Sequence, residues 1–547
     1  MRAIDLYAGI GGWSLGLKLA GIEVVKSYEW WQPAIDTHNG NHQTQLKPIN
    51  IRTMNLDELP TNIDLVVGSP PCTQFSYSNR GGSGDLADGQ VDLERFFAIV
   101  DRLKPRFWAM ENVPRVAKYL NSCFTDPLSS LYKYKHLNPN IGIFDFSEFG
   151  CPQARKRCVV TNIPLDELDK YKDRCNRITL GDVTKSLSKV EHIIDPVWGL
   201  RLSSSALTEL EQEEILNNEE LRLNREAKIF HPIYNNMAFP DRLDVPARTV
   251  TATCTRVSRE SIILENKNDY RRLTIRERAT LQGFPITYQF FGKSFSEKAK
   301  MIGNAIPPTF SYILASFTLG KTGDEFLPHT RAGRKLKLPL NTAPVTSPDK
   351  AGKAYPIKRR FRAAIPGLRF KSAMRFEFAN DTTSDEPNWS VKFYSGNSKD
   401  IRTHDLNESF AAALNGCNEL KDIEVEQHSV QNRLEGWILA VDGQGLQQIW
   451  TRREKGESPF HWVDLLGEFA NEIYSDLVEL LELEAAERIV LELVGQLENN
   501  GKYANEVKLK RYAHRIISGV IVGVWFNQKY KSRLELPSIK CLAPNGI

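Results

Sequence analysis

No window of the 547 residues strings together about 18 apolar side chains, so no membrane-spanning helix is expected. The opening MRAIDLYAGIGGW lacks the basic lead and unbroken apolar core of a secretory signal. Eight cysteines are scattered, and none forms a CxxC pair. Cys151 and Cys158 stand too far apart for a metal knuckle, so no metal site is expected. Thiols this sparse point to a reducing, cytoplasmic setting. Net charge is also nearly missing: 71 basic against 67 acidic residues leaves +4. The total therefore says nothing about a nucleic-acid partner. No internal repeat appears. Apolar content of 41% and charged content of 25% exclude wholesale disorder, collagen and a coiled-coil rod.

What is present is organised. Through about residue 160, short apolar strands alternate with helical stretches. IDLYAG, IEVVKSYEW, IDLVVGSPPC, RFWAMENVP and RCVVTNIP read as buried strands, with helices such as WSLGLKLAG and VDLERFFAIVDRLKP between them. This alternation predicts a doubly wound α/β sheet, whose ligands sit beyond the strands' carboxyl ends. A polar, acidic stretch follows. PARTVTATCTRVSRESIIL then reads as further strands. Residues 331–375 hold thirteen Lys or Arg and one acid, Asp349, with several prolines. They read as an exposed linker or a phosphate-contacting strap. Beyond it, MRFEFAN and WSVKFYS alternate strictly around a turn and predict a hairpin, and WILAVDGQG reads as another strand and turn. Residues 462–498, with ten acids and one Arg, predict amphipathic helices.

Five segments carry chemistry. Asp5–Gly12 runs from a strand into a glycine-rich turn and a helix, a place for close backbone approach to a ligand. Glu29 ends the next strand, where an acid can bind ribose, and Trp30 could pack on an adenine. Pro70-Pro71-Cys72 holds a cysteine rigidly past a strand, the position of a covalent nucleophile. The glycine-rich run after it reads as a lid. Glu111, in ENVP, is a strand-end carboxylate that could donate to a ring nitrogen, or simply cap a helix. In Gln153–Arg157, alternation predicts Arg155 and Arg157 on one face. Gly303–Pro308 starts a helix.

The order and spacing of these segments resemble the DNA (cytosine-5) methyltransferases. DLYAGIGG, PPCTQFS, ENVP, QARKR, RRLTIRERATLQGFP and GNAIPP match successive family motifs across about residues 1–320. The resemblance implies a Rossmann-like S-adenosylmethionine-dependent methyltransferase domain with a small inserted recognition region. Its expected parts are 1–164 and 269–325 for the catalytic domain and 165–268 for recognition. A basic linker, 326–372, and an α+β domain, 373–547, would follow.

It further implies catalysis by Cys72, Glu111, Arg155 and Arg157. A target cytosine flips out, Cys72 attacks C6, Glu111 holds N3, and Arg157 holds O2 with Arg155 in support. S-adenosylmethionine is expected against Asp5, Tyr7, Ala8, Gly9, Gly11, Gly12, Glu29, Trp30, Asn50, Pro70, Asn304 and Ala305. Asn50 stands where the family often has an acid. Thr73 precedes Gln74 where the family usually has glutamine directly after the cysteine. Candidate DNA contacts are Tyr77, Arg80, His231, Asn235, Asn236, Arg242, Thr253, Arg256 and Arg259. The implied partner is double-stranded DNA, bound by a monomer. The C-terminal part matches no known pattern and is a candidate dock for a restriction or defence subunit. Two alternatives are a tRNA cytosine-5 methyltransferase, which the recognition region of about 100 residues argues against, and a non-catalytic scaffold, which the intact motif residues argue against.

Overall fold

The computed structural model describes residues 1–71, 86–229, 237–370, 374–397, 400–420, 428–440, 443–495 and 503–535. The chain forms two compact units that meet in sequence between Ala351 and Gly352.

The first unit is built on a six-stranded sheet. Its opening elements are β1 (Arg2–Leu6), α1 (Gly12–Ala20), β2 (Glu23–Tyr28), α2 (Gln32–His42) and β3 (Leu65–Gly68). Then come α3 (Leu86–Leu103), β4 (Phe107–Asn112), α4 (Arg115–Thr125), β5 (Asn140–Asp145), β6 (Gln153–Ala154) and β7 (Lys156–Thr161). Strand order is β2-β1-β3-β4-β7-β5. The first four strands are parallel, and β7 runs against both β4 and β5. All five expected strands are present, and β5 is an additional one. The order reverses between β1 and β3, which opens a crevice at their carboxyl ends.

Because β7 is antiparallel, its start lies beside the end of β4, with Cys158 opposite Asn112. That reversal brings Arg157 to the same edge as Glu111. Apolar side chains cover both faces of the sheet. Leu65, Val67 and Ala109 join Trp13, Phe310 and Ile313 on one side, and Val66, Trp108 and Met110 join Phe96, Phe97 and Leu120 on the other.

Between residues 245 and 262 the structure departs from the expected strands. Only Ala247–Arg248 pairs there, parallel to β6. The alternation reflects burial of Ala247, Val250 and Cys254 along an irregular chain. The linker expectation for 326–372 is also corrected. Ala343 N donates to Gln289 Oε1 (3.1 Å), Ala351 N to Glu214 (2.9 Å), and Asp349 pairs with Arg272 (2.8 Å). Residues 352–372 belong to the second unit, where Tyr355 N donates to Thr451 O (2.9 Å) and Arg362–Arg369 is a strand. Proline and lysine made this stretch look like a tether, but its backbone groups find partners far away in sequence.

The second unit is α+β. Strands Arg362–Arg369, Arg375–Asp381, Asn388–Asn397 and Asp400–Asp405 form an antiparallel meander. The expected hairpin is its centre. Helices Pro459–Leu480 and Ala513–Glu535 cover one face, where Phe378 packs against Trp389, Trp462 and Phe526. The segment WILAVDGQG is not the expected strand: its described residues fall in helices His428–Ala440 and Gly443–Trp450. The apolar residues Leu434 and Ile438 of the first helix and Leu446 and Trp450 of the second are buried at helical spacing. Among the described residues no helix is long and apolar enough to cross a membrane, and no group of His, Cys, Asp or Glu could hold a metal ion.

Candidate active site

The crevice between β1 and β3 gathers the first group of expected residues. After β1 the chain turns through Tyr7, Gly9 and Gly11, all with positive φ (55°, 54° and 89°), before α1 begins. Gly9 is the open point of this turn. A side-chain carbon added there would meet nothing within 4 Å. Gly11 and Gly12 are closed: such a carbon would lie 2.3 Å from His42 Nε2 or 2.2 Å from Ile306 O. At these two positions the missing side chain makes room for His42 and Ile306.

Glu29, nearly buried, accepts from Gly9 N (2.8 Å), Trp30 N (2.9 Å) and Trp31 N (2.9 Å). A carboxylate has about four acceptor positions, so one remains for a ligand hydroxyl. Trp30 beside it is 65% exposed and offers a bare indole. Tyr7 is tethered, its hydroxyl on Asp92 O and Oδ1 (both 3.3 Å), and burial raises its ionisation far above the ordinary tyrosine value. Ala8 is buried and donates its N–H to Tyr28 O (2.9 Å). Asn50 is exposed, and its amide oxygen accepts from Arg52 N (3.0 Å). Asn304 is exposed at the end of helix Phe295–Asn304, and Ala305 follows it.

Asp5 does not reach the crevice. It is fully buried, and its Oδ2 accepts from Ser14 N (3.1 Å) and Ser14 Oγ (2.7 Å). Its Oδ1 has no partner. Burial pushes its carboxyl from 3.8 up to about 7, against the lowering effect of the Ser14 hydrogen bonds. It holds the start of α1 rather than a ligand.

The second group lies where β3, β4 and β7 meet. Glu111 is 5% exposed, and its Oε1 receives Arg157 Nε at 3.0 Å. The helix-capping alternative for Glu111 is thereby set aside. Arg157 also donates to Lys156 O (2.7 Å). The neighbouring Asn112 donates its amide to Pro70 O (3.1 Å), fixing the proline turn to the end of β4. Ser69, one residue earlier, accepts from Trp13 Nε1 (3.0 Å). Sequence reasoning missed Asn112, although it stands inside the ENVP segment. Cys72, Tyr77 and Arg80, with the glycine-rich run read as a lid, fall at 72–85, outside the described residues; so do His231, Asn235 and Asn236.

Arg155 and Arg157 serve different partners, which corrects the shared-face expectation. Arg155 is buried and donates to Val250 O (3.0 Å), Gly303 O (2.8 Å) and Ala305 O (3.3 Å). Gln153 adds Leu281 O (2.9 Å) and receives Val250 N (2.8 Å). These two side chains lock the loop around Ala305 and the segment at Val250 to the sheet. The strand geometry breaks between β6 and β7, so simple alternation fails there.

In the recognition region Arg256 is no surface reader. It is 6% exposed and bound by Glu220 (2.8 Å), Glu213 (3.3 Å) and the carbonyls of Glu214 and Ile215. Arg259 donates to Ala227 O (3.1 Å). Arg242 is exposed and pairs with Asp244 (2.5 Å), and Thr253 is exposed. Two other cysteines adjoin the site. Burial pushes the thiols of Cys151 and Cys158 up to about 12, so neither is a ready nucleophile.

A family model described as C-5 cytosine-specific DNA methylase matches residues 1–317. Type II methyltransferase M.FnuDI of Fusobacterium nucleatum is 25% identical over 334 residues, covering 58% of this chain and 93% of the relative. Type II methyltransferase M.HindV of Haemophilus influenzae is 28% identical over 330 residues, covering 58% and 95%. Among solved structures, a putative DNA modification methyltransferase encoded within an E. coli prophage aligns with a TM-score of 0.43 at 20% identity, covering 58% of this chain and 99% of that one. An S. pombe Dnmt2 methyltransferase aligns with a TM-score of 0.39 at 18% identity, covering 58% and 98%.

Proposed function

The chain belongs to the C-5 cytosine-specific DNA methylase family and is a DNA (cytosine-5) methyltransferase, and from that premise we propose how its residues divide the reaction. The carrying observation is the Glu111–Arg157 pair, at 3.0 Å, beside the proline turn that Asn112 holds. In this reading nucleophile, carboxylate and guanidinium act together at that edge of the sheet.

The substrate is a cytosine flipped out of duplex DNA, because its C5 and C6 are out of reach within the stack. The base separates Arg157 from Glu111. Glu111 takes N3 and the amino group, and Arg157 takes O2. Cys72 sulfur forms a bond to C6, and the C5–C6 electron pair moves to C5. A proton from Glu111 to N3 keeps the ring from accumulating negative charge. C5 accepts a methyl group. A base then removes the C5 proton, the double bond re-forms, Cys72 leaves C6 as the thiolate, and N3 returns its proton to Glu111. Arg155 acts as a positioning residue, through the backbone around Ala305.

The open face of Gly9, the spare acceptor position of Glu29 and the bare indole of Trp30 fit a nucleoside-bearing methyl donor. S-adenosylmethionine supplies the methyl as an electrophilic sulfonium. Glu29 would hold a ribose hydroxyl and Trp30 the adenine, with Asn50, Pro70 and Asn304 at the rim. The recognition region selects a short duplex sequence. By likeness to the Type II methyltransferases, the mark protects host DNA in a restriction-modification or defence system, and the second unit is a candidate dock for a partner there.

The test is 5-methylcytosine sequencing of DNA from cells expressing the wild-type chain or Cys72→Ser. Methylation at one short motif, absent in the variant, is expected. Equal methylation in both would overturn the role of Cys72.

A further inference from the structure

A cavity of about 400 Å³ lies along β2, between α1, α2 and the segment 44–49. Its volume falls within the range of small-ligand sites. None of Gly9, Glu29, Trp30 and Asn50 lines it, so it is separate from the crevice at the end of β1.

Its lining is unbalanced in charge. Lys18, Lys26 and Lys47 contribute to it, and no Asp or Glu does. Among the described residues Lys18 Nζ donates to a neutral group, His42 O, at 3.2 Å. Burial holds the Lys18 ammonium below its usual range. Lys26 Nζ stands 5.0 Å from the Tyr28 ring centre, and Lys47 is exposed. His38 forms part of the wall, with its ring nitrogens near Thr44 Oγ1 (3.0 Å) and Ser14 Oγ (3.4 Å). Burial, aided by Lys18, lowers it to about 3, so it adds no positive charge. Val25 and Leu46 supply apolar surface. Three ammonium groups around one half-open space repel each other, and an anion among them would relieve that repulsion. Polar hydroxyls and an apolar wall beside them suit a sugar or ring carried by that anion.

We infer that this cavity binds a small phosphorylated ligand of nucleotide size, its phosphates on Lys18, Lys26 and Lys47. The site is independent of the methyl-transfer edge.

The probe is ADP, titrated calorimetrically into the full chain with S-adenosylhomocysteine present to fill the Gly9–Glu29 crevice. Adenosine serves as the phosphate-free control. ADP binding in the micromolar to millimolar range, with none by adenosine, is expected. In the double variant Lys26→Gln/Lys47→Gln, affinity should fall by at least about tenfold, as charge-assisted contacts are lost. These two side chains hold no hydrogen bond to the fold among the described residues, so the melting temperature should not change. Failure of ADP to bind, equal binding by adenosine, or equal affinity in the double variant would overturn the assignment. None of these readouts depends on methylation.

Discussion

Two sets of shielded charges in the first unit are built in opposite ways. At the sheet edge, Arg157 meets Glu111 through one nitrogen and one oxygen at 3.0 Å, leaving donors and acceptors unspent among the described residues. In the recognition region, Glu213 alone joins Arg256 and Arg272, while Glu220 grips Arg256 and Asp349 grips Arg272. The first arrangement can open to admit a planar base at small cost. The second is closed, and removing one member leaves buried charges without partners. Burial of an arginine therefore does not reveal its task. The number of its unspent hydrogen-bond positions does.

The largest expected contrast comes from Glu111→Gln. Methylation should fall about 10²–10⁴-fold, the usual range for losing an acid–base group, with the melting temperature nearly unchanged. Steady-state rates with duplex substrate, paired with calorimetry, check this. Arg256→Ala should do the reverse. It should cost about 3–5 kcal/mol of stability by taking the guanidinium from buried Glu220 and leaving Glu213 with Arg272 alone, while the rate per folded molecule survives at low temperature. Urea unfolding measures it, and a loss below about 1 kcal/mol would erase the contrast.

The shape of this comparison explains what was legible beforehand. Strand ends could be read because polar residues interrupt apolar runs there, as at Tyr7, Glu29, Pro70 and Glu111. The partners of Arg256 could not, because Glu220 and Glu213 lie 36 and 43 positions away on other segments. Strand β5 escaped notice because its pattern, Asn-Ile-Gly-Ile-Phe-Asp, is mostly exposed or half-exposed at the sheet's border. WILAVDGQG misled because a short apolar run before Asp-Gly suits a strand and turn as well as a buried helix. That Gly11 and Gly12 make room for His42 and Ile306 could not be read, because those contacts exist only in the packed chain.

Asp5 sharpens the comparison through pH. Its folded carboxyl titrates near 7 against an ordinary 3.8, so the fold favours the protonated form. Its contribution to stability is greatest below about pH 4, declines as pH rises toward 7, and is flat above. Asp5→Asn should remove that decline, seen as a flatter melting temperature between those values. The smallest effect belongs to Arg242→Gln. Its pair with Asp244 is fully exposed and screened by solvent, so stability should not change measurably. Any consequence should appear in duplex affinity, measured by fluorescence anisotropy, rather than in stability.

The central claim is covalent attack by Cys72 at the edge formed by Glu111 and Arg157. A duplex carrying 5-fluorocytosine at the target position tests it directly, because fluorine at C5 blocks the proton removal that releases the enzyme. With S-adenosylmethionine present, a protein–DNA adduct should survive a denaturing gel with the wild-type chain and be absent with Cys72→Ser. An adduct that persists in Cys72→Ser would contradict the account, as would no adduct from a wild-type chain that methylates the unfluorinated duplex.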